Sequence, residues 1–307
     1  MCLNVPIHKV SAIRFMLFLL IVLTSCKTNN DTIKTEELSA WCILDFDALN
    51  RTPHERIDML KQLGINYYGY NRGKGNLDNM QEEFRLAKDN GIEINAVFLW
   101  LNAKRDSIGK LSASNQELLG KLKDVDYKPA IWLSFSNNFF EDLSQQQSVD
   151  YAIRMIEYIK AITDALGCEL ALYNHHGWFG NPHNQVAVLK QMDKPSISMV
   201  FNFHHTHEYV DEFPEVVKKI KPYLSFVNIS GVKKDGPKIL PLGVGDHEYT
   251  MIKQLVDAGY NGPWGILGHV KTEDVQKVLE QNLTGLKQIN TRLKQEAHKT
   301  NQQCSTN

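Results

Sequence analysis

From residue 40 onward, short apolar runs alternate with amphipathic stretches of helical period. Apolar residues recurring every three or four positions mark one face of a helix, and short apolar runs between turn signals mark buried strands. The first strand is predicted over 41–46. Thr52-Pro53-His54-Glu55 then carries a helix-start signature: a hydroxyl at the cap, a proline in the first turn and a glutamate three residues on. Gly64 closes that helix. Strand two follows over 65–70, a helix over 77–90 closed by Gly91, and strand three over 92–100. A helix over 114–123 and strand four over 130–135 come next. The long helix over 147–166 stops at Gly167, before strand five over 169–174. Asn181-Pro182 opens a helix to Met192, and strand six spans 197–203. A helix over 214–220, strand seven over 224–229, a helix over 249–258, strand eight over 264–267 and a last helix over 272–294 complete the series.

Regular alternation of strand and helix implies a parallel sheet, and eight units imply its closure into a single (β/α)8 TIM barrel. An open doubly wound sheet is the alternative. It fails because no strand leads into a glycine-rich dinucleotide loop and no residues are left for a second domain.

The N-terminus breaks the pattern. Lys9 and Arg14 precede an apolar run over 15–23, and Thr24-Ser25-Cys26 follows. Such a run is too short to span a bilayer and reads as a signal peptide. Leu23-Thr24-Ser25-Cys26 has the order of a bacterial lipobox, in which the cysteine takes the lipid. The alternative is an ordinary signal peptide with an incidental cysteine. The expected organisation is a lipoprotein signal peptide over 1–25, a lipidated Cys26 with a polar tether over 26–39, the barrel over 40–294 and a polar tail over 295–307. The lipid would anchor the protein in the bacterial cell envelope, on the periplasmic side. Lys27 is not a retention signal of the aspartate type, which favours the outer membrane.

Composition adds exclusions. The chain has 307 residues and a formal net charge of -1, with no basic excess to recruit nucleic acid. Of the five cysteines, Cys42 and Cys168 fall among apolar strand residues and read as buried free thiols. No CxxC spacing suggests a thiolate zinc site. There is no nucleotide-binding loop, no Gly-x-Ser-x-Gly elbow and no HExxH.

In such barrels the chemistry sits where strands end and βα loops begin. Eight of the eleven histidines fall between 175 and 269, most of them at such ends. Alternation puts Tyr173 and His175 on one face of strand five, opposite Leu172 and Asn174. Asn202 and His204 share a face of strand six. Strand seven ends on Asn228 and strand eight on Gly268-His269. Asp45 and Asp47 are placed on strand one. One histidine in such a place is usually structural; five on neighbouring loops point to a functional cluster. His54, His183 and His298 read as surface residues. Trp178 and Trp264 flank strand ends, and Trp178 fits either packing or a platform for a sugar ring. Strands four to eight carry no carboxylate at their tips, which disfavours a two-carboxylate glycosidase, although Glu141, Glu208 and Asp246 lie in loops.

Five motifs, Tyr-Asn-His-x-Gly-Trp (173–178), Asn-Phe-His-His-x-His (202–207), Pro-Leu-Gly-x-Gly (241–245), Gly-Tyr-x-Gly-Pro (259–263) and Gly-His (268–269), resemble an exported lipoprotein subgroup of the xylose isomerase-like TIM barrel superfamily, the sugar phosphate isomerase/epimerase-like proteins. The resemblance covers residues 40–290. It implies a divalent metal held by acids on strands five, six and eight and a histidine on strand seven. Here those positions carry Tyr173, Asn202 and Asn228, and no acid lies in 264–270. His205 matches a histidine common in that superfamily. The carboxylate cage is therefore absent. A different site for zinc, manganese or iron could draw on His175, His205, His207 and Glu208, with Asp246 as a further charge.

The function expected is an isomerase or epimerase that abstracts a proton next to a carbonyl of a free or keto sugar outside the cytoplasm; elimination is the third form of that chemistry. His175 and His205 would be acid and base or metal ligands, with Tyr173 assisting. Asn174, Trp178, Asn202, His204, Asn228 and His269 would bind substrate. The alternatives are a non-catalytic sugar-binding barrel lipoprotein and a metal-dependent hydrolase.

Overall fold

In the computed structural model, residues 32–71, 73, 76–125, 127–192 and 196–305 are described. The expected signal peptide, Cys26 and the first part of the tether lie outside them. Eight parallel strands, β1 (Leu38–Trp41), β2 (Tyr67–Tyr70), β3 (Glu93–Leu101), β4 (Ala130–Phe135), β5 (Leu170–Tyr173), β6 (Ile197–Asn202), β7 (Leu224–Ile229) and β8 (Trp264–Leu267), close into a barrel through β1–β8 pairing. Outside it lie α1 (Pro53–Leu63), α2 (Asn76–Asp89), α3 (Ala113–Lys121), α4 (Gln145–Leu166), a one-turn α5 (Gly177–Gly180), α6 (Pro182–Met192), α7 (Phe213–Ile220), α8 (Glu248–Asp257) and α9 (Val275–Ser305). Among the described residues, no helix is long and apolar enough to cross a membrane.

The local signals act as expected. Thr52 and Glu55 form a reciprocal capping box at α1, and Gly64 ends that helix at φ 68°, a left-handed conformation that glycine adopts without a Cβ clash. β4, β7 and β8 have the predicted limits.

Two predictions need correction. Strand one lies three residues earlier, at Leu38–Trp41 rather than 41–46. The Trp41 ring must enter the barrel, where it covers Gly69: a Cβ there would meet the ring at 2.4 Å. Cys42 then turns the chain out of the sheet at φ 59°. So Cys42 follows the strand, Cys168 precedes β5, and Asp45 and Asp47 lie in the β1–α1 loop; both thiols are free and buried. In that loop Asp47 accepts from Arg51 and from the amide of Val275, tying it to α9. The second correction is α9, which runs to Ser305 instead of giving way to a loose tail at 295. After Gly285 the sequence is polar but contains neither glycine nor proline, so nothing ends the helix.

The core has two layers. Leu172, Phe201, Val227 and Ile266 point outward against the helices. Trp41, Trp132, Ala171, Tyr173, Val200, Phe226 and Leu267 point inward and fill the barrel. Trp132 touches both Trp41 and Phe226 at ring separations of 4.8 Å. This aromatic plug is the floor on which the site stands.

Candidate active site

The ends of β5 and β6 are built as one unit. Asn174 is fully buried, and its side-chain amide accepts from the Asn202 N–H (2.6 Å) and donates to the Asn202 carbonyl (3.3 Å). It extends the β5–β6 ladder, and both its polar atoms are engaged with the Asn202 backbone. Asn202 in turn donates to the Tyr173 hydroxyl and accepts from the His204 N–H at 3.0 Å, which starts the turn Phe203–His205. Tyr173 also accepts from the Trp41 indole N–H at 2.9 Å. Burial pushes the Tyr173 phenol far above its usual range, so it stays neutral. Tyr173 and Asn202 therefore support the histidines from below. Asn228 is also fully buried; among the described residues neither of its amide atoms has a hydrogen-bond partner.

On this floor stand five imidazoles in ring contact. Centroids are 3.9 Å apart for His175 and His176, 4.5 Å for His175 and His205, and 4.7 Å for His176 and His205. His204 lies 4.5 Å from His205 and 4.9 Å from His269. Aromatic side chains close the two ends: Trp100 meets His175 edge-on at 4.6 Å, and Phe46 meets His269 at 3.8 Å. With His176, His204, His205, Tyr209 and Lys238, His175 lines a cavity of about 290 Å³.

Burial and mutual repulsion keep these rings neutral. Burial, followed by the neighbouring imidazoles, lowers His175 to about 3. Burial and then His204 lower His269 to about 4, with Lys271 adding to the effect. His205 lies well below the usual range for the same reasons, and His204 and His176 are lowered too. Burial disfavours a charged imidazolium, and each neighbour resists a second charge.

The β7–α8 loop is held against the cluster. His204 Nδ1 lies 2.9 Å from the Lys238 carbonyl. A carbonyl only accepts, so Nδ1 carries the proton and Nε2 keeps a lone pair. His207 places Nδ1 3.0 Å from the Lys233 carbonyl and Nε2 3.2 Å from that of Lys238. Whichever nitrogen carries the proton donates to one of these carbonyls, so the loop orients the His207 ring. Glu248, 2% exposed, accepts from the N–H groups of Val232 (3.0 Å), Gly243 (3.0 Å) and Gly245 (2.9 Å), fixing the rest of that loop.

The other expected residues are placed as follows. Trp178 stacks on Phe140 at 4.6 Å and donates to Gln145, so it packs the β5–α6 connection. Trp264 is the first residue of β8, at the end of the barrel away from the histidines, and packs on Tyr260. His54 and His298 are exposed, and His183 lies near Glu212 and Lys219 on the surface. Glu208 is exposed on the cavity rim, and Asp246 faces Lys233 at 3.8 Å. Among the described residues, no group of three or more His, Cys, Asp or Glu is placed to hold a metal ion. The histidines stack ring against ring, and the strand-tip positions of the usual acids are buried tyrosine and asparagine. This donor set does not supply the carboxylate cage that the resemblance implies.

Sequence reasoning missed Phe46, Trp100 and Lys238. Trp100 was readable: it ends the predicted strand three, two residues beyond Phe98 on the same face. Phe46 was assigned to strand one, and Lys238 sits 34 residues from His204 in an irregular loop, with no local signal.

No family model and no curated protein sequence matches this chain. Solved structures do. The apo form of 3-keto-D-glucoside 4-epimerase from E. coli is similar at 15% identity and TM-score 0.61, over 83% of this chain and 100% of that one. The IOLI protein with a bound zinc atom is similar at 9% identity and TM-score 0.61, over 83% and 99%. A xylose isomerase-like TIM barrel protein from Mycobacterium smegmatis in complex with magnesium gives 16% identity and TM-score 0.55, over 83% and 97%. At such identities the likeness is one of fold alone, that of a single (β/α)8 TIM barrel.

Proposed function

We propose that this xylose isomerase-like barrel is a sugar isomerase or epimerase that moves a proton on the carbon next to a carbonyl, acting on a free or keto sugar in the bacterial cell envelope. The observation that carries the reading is the cluster of neutral imidazoles at the C-terminal mouth, where barrels of this kind keep their chemistry. A similar fold in a 3-keto-D-glucoside 4-epimerase supports the substrate class.

The chemistry follows from the ring states. A base must be unprotonated at neutral pH, and these rings are. His204 Nε2 offers a lone pair because Nδ1 is committed to the Lys238 carbonyl. It would take the proton from the carbon beside the carbonyl. The C–H electron pair becomes the C=C bond, and the carbonyl oxygen takes the negative charge. His205 and His175, in contact with each other, supply the N–H that holds or protonates that oxygen. Return of a proton to the former carbonyl carbon, with the hydroxyl on the deprotonated carbon giving up its proton to a histidine and becoming the new carbonyl, gives isomerisation; return to the opposite face of the same carbon gives epimerisation. General acid–base catalysis of this kind contributes about 10²–10⁴-fold. Trp100, half-buried beside His175, offers an apolar wall for the sugar ring.

The test is proton exchange. Purified protein is incubated with ketohexoses and 3-keto-glycosides in D₂O and followed by proton NMR. Protein-dependent loss of the signal next to the carbonyl is expected, falling about 100-fold or more in His205→Ala. A sugar that binds without exchanging any carbon-bound proton would make the protein a non-catalytic sugar-binding barrel.

A further inference from the structure

The residues around the cavity are unevenly charged. Lys238 has its main chain held by the cluster itself: its carbonyl accepts from His204 and faces His207. Its side chain is exposed at the mouth, and its ammonium is near enough to disfavour protonation of His176 and His204. Two other lysines of the same loop have carboxylate partners, Lys233 with Asp246 and Lys234 with Asp211. Among the described residues Lys238 has none. On the opposite side, Lys271 lies 5.4 Å from the Phe46 ring centroid and acts on His269, again without a carboxylate partner. The charged groups that act most strongly on the five rings are the neighbouring imidazoles, Lys238 and Lys271. Glu208 shares the cavity rim but is exposed and makes no ion pair among the described residues.

We infer that the substrate is an anionic sugar, a keto or aldo sugar acid whose carboxylate is received by Lys238 at the mouth and whose reacting carbon lies over the histidines. The inference rests on the proton-transfer reading for the position of the reacting carbon but not for the charge preference. Neutral imidazoles in a partly dry site cannot neutralise a carboxylate, so the countercharge must come from the rim; an ammonium without an internal partner supplies it at no loss of an existing ion pair. A cavity of about 290 Å³ sits at the small end of ligand sites and holds one sugar unit rather than a polymer.

Calorimetric binding to the purified full chain separates the outcomes. D-glucuronate and D-galacturonate are compared with D-glucose and D-galactose, and with glucose 6-phosphate as an anion of different geometry. The uronates should bind at least about tenfold tighter than the neutral sugars, and Lys238→Met should remove most of that gap while Lys238→Arg retains it. The preference should also shrink as salt rises from 50 to 500 mM. Equal binding of acid and neutral sugars, or a preference untouched in Lys238→Met, would overturn the inference while leaving proton exchange on neutral sugars intact. A stronger preference for glucose 6-phosphate would overturn the carboxylate assignment. Uronate binding without proton exchange would sustain the charge preference and remove the catalytic reading instead.

Discussion

At the scale of single residues, the histidines set both the chemistry and its pH range. A buried histidine whose folded pKa is depressed favours the neutral form, so at acid pH the unfolded chain binds more protons than the folded one. Its contribution to stability is therefore complete above the unfolded value near 6.5 and is lost as pH falls towards the folded value. With His175 at about 3 and His269 at about 4, the window runs from about 6.5 down to about 3. Thermal melts should show stability falling steadily from pH 7 to pH 4, with a shallower fall in His175→Asn; an unchanged profile in that variant would remove His175 as a contributor. The alternation of strand residues was enough to bring Tyr173, His175, Asn202 and His204 to the barrel mouth. It could not tell a residue that faces a ligand from one that supports it. Tyr173 and Asn202 use their polar atoms on each other, and Asn174 on the backbone of the next strand, because buried polar groups must find partners.

At the scale of elements, the β7–α8 loop matters more than its sequence suggests. Its order comes from Glu248 receiving three backbone N–H groups, with Asn282 of α9 accepting from Leu242 and donating to the Leu267 carbonyl. Glu248→Ala should cost about 1.5–3 kcal/mol per bond to the charged acceptor at most, and less in sum as the loop relaxes. Urea melts measure that loss. Sugar affinity should fall together with stability, since the freed loop carries the Lys238 carbonyl that orients His204; a variant with full affinity would show that the loop is not part of the site. Helix starts and stops were legible because caps and glycines act locally. The position of β1 was not: its limits depend on a tryptophan filling the space above Gly69, a contact between strands. The continuation of α9 was also missed, because polarity alone does not end a helix.

At the scale of the whole molecule, alternation of eight strands and helices was sufficient to read the barrel, since closure needs only the count and order of units. What the count could not supply is how the chain enters the barrel. The backbone of Ile33 is held on both sides by Asn290 of α9, and β1 starts at the barrel end opposite the histidines. The lipid proposed on Cys26 is tested by fractionation. Membrane fractions of cells expressing the intact chain should contain the protein, and Cys26→Ser should release it to the soluble fraction; retention of that variant would point to another mode of attachment.

The edge contact between Trp100 and His175 has a further, optical consequence. An indole is a fluorophore, and its emission responds to the charge and polarity of whatever touches it. The end of the imidazole row is therefore visible in ultraviolet light. A ligand that displaces solvent from His175, or a proton that settles there, changes the light leaving Trp100, while Trp41 and Trp132 lie in the plug below. The protein carries its own unlabelled indicator of occupancy at the place where its chemistry would occur.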